Sequence, residues 1–189
     1  MIRKKTMTSP TVIALSLVLA VSALGCAGAT GPGTGATTGG AAAAGDSHAL
    51  IGKPAPDFSL ASVNGQGKFS LASMKGKVVI VDFWATWCEP CKKSFPKLQE
   101  LNVKYKASGL EIIGISEDDE NHGVADFGKN FGAKFPLGWD QGKSIASKWD
   151  PKTMPTSFIV DKKGIVRFVH LGYHDGDEAK VEQQVKSLL

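Results

Sequence analysis

The apolar residues of this chain fall into three regimes. An uncharged apolar run from Val12 to Leu24 stands near the start. From Ala27 to about Ser47 the chain is Gly, Ala and Thr with almost no large apolar residue, and from Leu50 onward apolar runs alternate with amphipathic ones. Within the third regime, Ala55-Pro56-Asp57-Phe58-Ser59-Leu60 predicts an edge segment with Phe58 and Leu60 on one face and prolines tolerated at its start. The turn residues Asn64-Gly65-Gln66-Gly67 lead to Phe69 and Leu71, so the two segments read as a hairpin. Val78-Val79-Ile80-Val81-Asp82-Phe83-Trp84 is the strongest strand signal, a near-continuous β-branched run of the kind a central strand covered on both faces requires.

After Cys88 the period changes. Phe95, Leu98, Leu101 and Tyr105 recur at helical spacing with lysines between them, and Gly109 ends the segment. Leu110 to Ile115 predicts a second buried strand. Val124, Phe127 and Phe131 predict another helix with Asn121 as its cap, and a short helix is expected over Ser144 to Lys148. Thr156–Val160 and Ile165–Val169 predict two strands joined by Asp161-Lys162-Lys163-Gly164, which places Gly where a hairpin needs positive φ. A final amphipathic helix carries Val181, Val185 and Leu188. The order implies an α/β fold: a mixed central sheet with helices on both faces.

Composition sharpens this picture at the N-terminus. Hydrophobic residues make up 42% and charged ones 21% of 189 residues, which fits one globular domain with appendages. Residues 1–26 read as a signal peptide, with Arg3, Lys4 and Lys5 before the apolar run. Removing those three cations leaves 19 basic and 18 acidic residues (from 22 and 18), a balance of +1 that gives no basis for nucleic-acid binding. Ala23-Leu24-Gly25-Cys26 resembles the lipobox of bacterial lipoproteins, although Leu is usual at the place of Ala23 and a small residue at that of Leu24. On that resemblance Cys26 is lipidated and anchors the chain to a membrane. The alternative is an ordinary secretory signal cut after Ala27-Gly28-Ala29. Either route exports the domain. Residues 27–48 read as a flexible tether with an rms reach of about 25 Å, and residues 49–189 as the folded domain, expected to be a monomer.

With Cys26 assigned to export, one pair remains, Cys88 and Cys91. Cysteines three apart close too small a loop to act chiefly as a staple, so the pair is expected to do chemistry. Cys88 stands where the helix begins, and the unpaired N–H groups of a helix start stabilise a thiolate. Pro90 fits the first turn, where a missing N–H costs little. Cys91 lies one turn on, so the two sulfurs can meet; Cys88 is then the exposed nucleophile and Cys91 the resolving thiol. Glu89 places a negative charge beside Cys88, which favours a reducing couple. A zinc site would need a second ligand pair, and His48, His122, His170 and His174 do not show zinc-finger spacing. No metal or other cofactor is therefore expected.

The segment Asp82-Phe83-Trp84-Ala85-Thr86-Trp87-Cys88-Glu89-Pro90-Cys91-Lys92 resembles the active-site segment of the thioredoxin superfamily. The lead-in Ile51-Gly52-Lys53-Pro54-Ala55-Pro56-Asp57-Phe58, the helix inserted around Val124–Phe131 and the turn Met154-Pro155-Thr156 are similar to its TlpA/ResA-type membrane-tethered branch. The resemblance implies a thioredoxin-like fold with an extra N-terminal hairpin and an inserted helix. It implies that Pro155 is a cis-proline beside the disulfide, that the backbone of Met154 pairs with substrate, and that Trp87 flanks the nucleophile. Asp82 is costly inside so apolar a strand; its raised pKa suits proton exchange with Cys91, and thioredoxin has Asp at the matching position. Two residues depart from the pattern. Ser94 stands where ResA-type proteins carry a Glu, and Gly114 where thioredoxin carries a Lys.

The reading that follows is thiol-disulfide exchange on exported proteins, as a reductase recharged by a membrane electron donor of the thiol-disulfide type, with cytochrome c maturation as one outlet. Two others compete. The Ala55-Pro56-Asp57-Phe58 lead-in is also similar to peroxiredoxins, which place Thr and Pro just before a single Cys, whereas Ala85-Thr86-Trp87 precedes Cys88. A copper chaperone of the Sco type would space its cysteines one residue wider and add a His. His170, the candidate for that role, is expected on a sheet and half-exposed.

Overall fold

The structure, a computed structural model, describes residues 47–189; the signal segment, Cys26 and the Gly/Ala/Thr-rich stretch before Ser47 lie outside them. Five strands form the main sheet in the order β5-β4-β3-β6-β7. β3 (Val78–Trp84) is central, parallel to β4 (Leu110–Ser116) and antiparallel to β6 (Thr156–Val160). β5 (Leu137–Trp139) joins β4 in parallel and β7 (Val166–Leu171) pairs antiparallel with β6. This is the mixed sheet that the apolar pattern implies. All seven residues of β3 are buried, as a strand covered on both faces should be.

Alternation along β3 divides the core. Val78, Ile80 and Trp84 pack against α1 (Glu89–Tyr105), α2 (Val124–Asn130) and α4 (Asp177–Leu188) through Phe95, Leu98, Phe127, Val181 and Val185. Val79, Val81 and Phe83 face the other way, onto Phe158, Trp149 at the end of α3 (Ala146–Trp149) and the hairpin of β1 (Ser59–Ala61) and β2 (Lys68–Ser70). Phe58, Phe69 and Leu71 carry that hairpin onto the sheet. Asp161-Lys162-Lys163-Gly164 makes the β6–β7 turn, with Gly164 at φ 82°.

Some expectations shift. Asn121 does not cap α2. Gly123 occupies that position, and the Asn121 carbonyl only accepts a 3.4 Å bond from Val124 N–H. The short third helix starts at Ala146, because Asp140 caps it from outside by accepting from the N–H groups of Ile145 and Ala146, each at 2.8 Å. α1 continues through Pro96, which lacks the N–H that would return to Lys92. Gly114 pairs across from Asp82. A Cβ there would lie 2.6 Å from Leu137 Cδ2 and 2.9 Å from Trp84 Nε1, so the thioredoxin-type lysine has no room. Gly114→Ala should therefore lower stability by about 1–3 kcal/mol through overpacking, read as a lower urea midpoint with an unchanged m-value.

Candidate active site

The β3–α1 junction builds the site. Cys88 ends the turn after the central strand with extended backbone (φ −78°, ψ 108°) and forms the N-cap of α1. Its sulfur accepts the Cys91 backbone N–H at 3.2 Å, so one orphan donor of the helix start points at the reactive atom. Pro90 falls in the first turn, as expected. Cys88 and Cys91 are joined in a disulfide with Cα atoms 5.3 Å apart. Burial modifies one expectation: Cys88 is only 3% exposed and Cys91 0%. The Cys88 sulfur turns inward to meet both the Cys91 N–H and the Cys91 sulfur, so little of it faces solvent. Trp87 is 69% exposed beside it.

The charge beside Cys88 is partly offset. Glu89 is exposed and pairs with Lys92 at 2.6 Å, so its field reaches the sulfur weakened by a cation and by solvent.

Asp82 lies beneath this junction, fully buried. Strand alternation puts it on the face of Ile80 and Trp84, the face against which Cys88 and Cys91 also pack. The Ser157 hydroxyl donates to its Oδ1 at 2.5 Å from the paired position on β6, while Oδ2 is buried with no partner among the described residues. Desolvation pushes the carboxyl up to about 7, with the Ser157 bond opposing. Asp82 is thus mid-strand, not at a strand end where local bonds would satisfy it. Ser157 also lines a cleft of about 30 Å³, room for roughly one water, together with Ser94, Pro155 and His170. Ser94 donates to the Cys91 carbonyl at 3.2 Å.

The Met154–Pro155 peptide bond is cis. Met154 is half-buried and packs against both core clusters. His170 is buried rather than half-exposed, at 2.6 Å from Gln184 Oε1 across to α4. Among the described residues, His, Cys, Asp and Glu form no group that could hold a metal ion.

Asp118 is a site residue that the sequence did not single out. Its carboxylate accepts from the Thr86 N–H at 3.0 and 3.1 Å, from the Thr86 hydroxyl at 2.7 Å and from the Ser116 hydroxyl at 2.7 Å. These bonds fix the Ala85–Trp87 turn from the end of β4. The acidic run Glu117-Asp118-Asp119-Glu120 after a buried strand was the available signal.

A mixed sheet with a Cys-x-x-Cys disulfide at the start of the helix after its central strand defines a thioredoxin-like dithiol protein. The chain belongs to the AhpC/TSA family, whose profile matches residues 51–169. It is 42% identical over 116 residues to the thiol-disulfide oxidoreductase ResA of Bacillus anthracis, covering 61% of this chain and 66% of that one. To the ResA of Geobacillus kaustophilus it is 31% identical over 138 residues, covering 73% and 78%. The chain thus spans just under two thirds of the Bacillus relative's length. The crystal structure of a thioredoxin-family thiol:disulfide interchange protein from Chlorobium tepidum superposes with a TM-score of 0.64 at 29% identity, over 76% of this chain and 99% of that one.

Proposed function

We propose that this chain is a thiol-disulfide oxidoreductase that reduces disulfides in exported proteins through Cys88 and Cys91. The observation that carries the reading is the Cys88 sulfur held at a helix N-cap on a backbone N–H. The Cys88 thiolate attacks one sulfur of the client disulfide; the other client sulfur leaves as a thiolate and takes a proton. Cys91 then gives its proton to Asp82 and attacks the Cys88 sulfur. The second client sulfur departs and is protonated in turn. Two electrons have passed to the client, and the Cys88–Cys91 disulfide of the structure is the oxidised product.

A carboxyl near 7 on the same face as Cys91 is matched to that proton transfer at neutral pH. Ser157 stands between Asp82 and the cleft, so it gives the proton an exit. Trp87 and Met154 rim the face where a client strand would lie, with cis Pro155 positioning Met154. A thiol-disulfide electron donor at the membrane restores the dithiol, and Cys26 would hold the chain there by a lipid anchor. No helix among the described residues is long and apolar enough to cross a membrane. Cytochrome c maturation is one outlet for such a reductase; with Ser94 in place of the expected Glu, the acid of the site is supplied by Asp82 from the strand instead.

The couple should be reducing. A strong oxidant needs an unusually stabilised thiolate, and the residue beside Cys88 is Glu89, paired to Lys92. Equilibrating the full chain with glutathione buffers should give a reduction potential of about −220 mV or lower. A value near about −120 mV would contradict the reductase direction.

A further inference from the structure

Between Trp87 and Met154 the surface opens into a groove of about 450 Å³, with Glu117, Lys143 and Asp150 along it. Its rims are the residue before Cys88 and the residue before cis Pro155. A polypeptide held for attack at the disulfide therefore lays its neighbouring side chains over this groove.

Glu117 borders the groove from the end of β4, held by its own N–H donating to the Trp84 carbonyl at 2.8 Å. It is 3% exposed, and its Oε1 is buried with no hydrogen-bond partner among the described residues. The charged groups around it are already engaged. Asp118 holds Thr86 and Ser116, and Asp140 caps the N–H groups of Ile145 and Ala146. Asp150 pairs with Lys152, and Lys143 with Asp119 at 2.9 Å. Burial, then the charges of Asp140 and Asp118, push the Glu117 carboxyl up to about 7, with Lys143 acting the other way. Buried among other acids, the ionised carboxyl is unfavourable unless a cation pairs with it at the groove. The complementary group is a cation on a long apolar stem, whose methylenes lie along Trp87 and Met154 while the head reaches the carboxylate.

We propose that this groove is a specificity subsite in which Glu117 receives the lysine or arginine side chain next to the cysteine under attack in a client polypeptide. It rests on the reading of Cys88 as the nucleophile toward polypeptide disulfides. Cation binding requires ionised Glu117, so the preference is present above about pH 7 and fades below it.

The test uses the reduced full chain and disulfide-bonded peptides that differ at one residue beside the cysteine: lysine, Nε-acetyl-lysine or glutamate. At about pH 8 the KM for the lysine peptide should be about tenfold below that for the acetyl-lysine peptide, the size of one charge-assisted bond, with similar kcat. The ratio should shrink toward unity at about pH 6; taking ratios at each pH cancels the titration of the thiol itself. Glu117→Gln should remove the preference at both pH values. A ratio near unity for the unsubstituted chain at the higher pH, or a preference that survives Glu117→Gln, overturns the subsite. The pH series on the unsubstituted chain decides the matter even if the variant does not fold. Equal reduction of all three peptides overturns the subsite alone. Reduction of none overturns the exchange reading and the subsite with it, because the groove then has no client to hold.

Discussion

Between about pH 4 and 7 the folded chain should lose on the order of 4 kcal/mol of stability through Asp82 alone, and Asp82→Asn should remove that loss. Burial moves this carboxyl from 3.8 to about 7 in the fold, with the Ser157 hydroxyl opposing the shift. Within that window the folded state keeps a proton that the unfolded chain has released, so unfolding becomes easier as pH rises. The cost is absent below the unfolded value and complete above the folded one. Glu117, also raised to about 7, adds a contribution of the same sign, so the variant should keep a shallower slope. Urea unfolding of both proteins across this range measures the difference, and parallel profiles would contradict the burial of a proton on Asp82. The same substitution should slow steady-state exchange by on the order of 10²-fold, the usual weight of one positioned proton acceptor. A variant that is more stable and slower separates the proton role from a structural one.

The second large effect concerns the unequal cysteines. Cys88→Ser should abolish disulfide reduction, because no other described thiol stands at a helix N-cap. Cys91→Ser should abolish turnover but keep the first attack, since the substitution leaves in place the backbone N–H that faces the Cys88 sulfur. Single-turnover kinetics with a peptide disulfide distinguish the two: no client thiol released in the first variant, one per chain in the second. Equal loss of the first step in both would mean that the two sulfurs are interchangeable, against the assignment from helix geometry.

The parts of this architecture that are legible in the sequence are those fixed by local periodicity. β3 announces itself through Val78–Phe83, and the hairpin through Phe58, Phe69 and the glycines between them. The cysteine pair is readable because strand, cysteine, proline and helix stand in one short run. What stays hidden depends on residues far apart in the chain. β5 is three residues with a glycine in the middle and has no period of its own; it exists because β4 offers an edge and Leu137 fills the space above Gly114. The partner of Asp82, Ser157, comes from β6, 75 residues away. Asp118 reads as one of four consecutive acids until the fold closes it onto Thr86. Glu117, its neighbour, is buried with an unused oxygen for reasons no spacing rule contains. The exposure of Cys88 is misread for a similar cause, since the inward turn of its sulfur follows from the bond it makes.

On the proposed function, Cys88 attacks disulfides of exported proteins and Cys91 releases them. The most direct measurement is to express the full chain as Cys91→Ser in its native cell and separate its disulfide-linked adducts without reductant. Mixed disulfides should then join Cys88 to extracytoplasmic proteins and disappear when a reductant is added. A chain that carries no such adducts, or carries them equally when Cys88 is also replaced by serine, would contradict it.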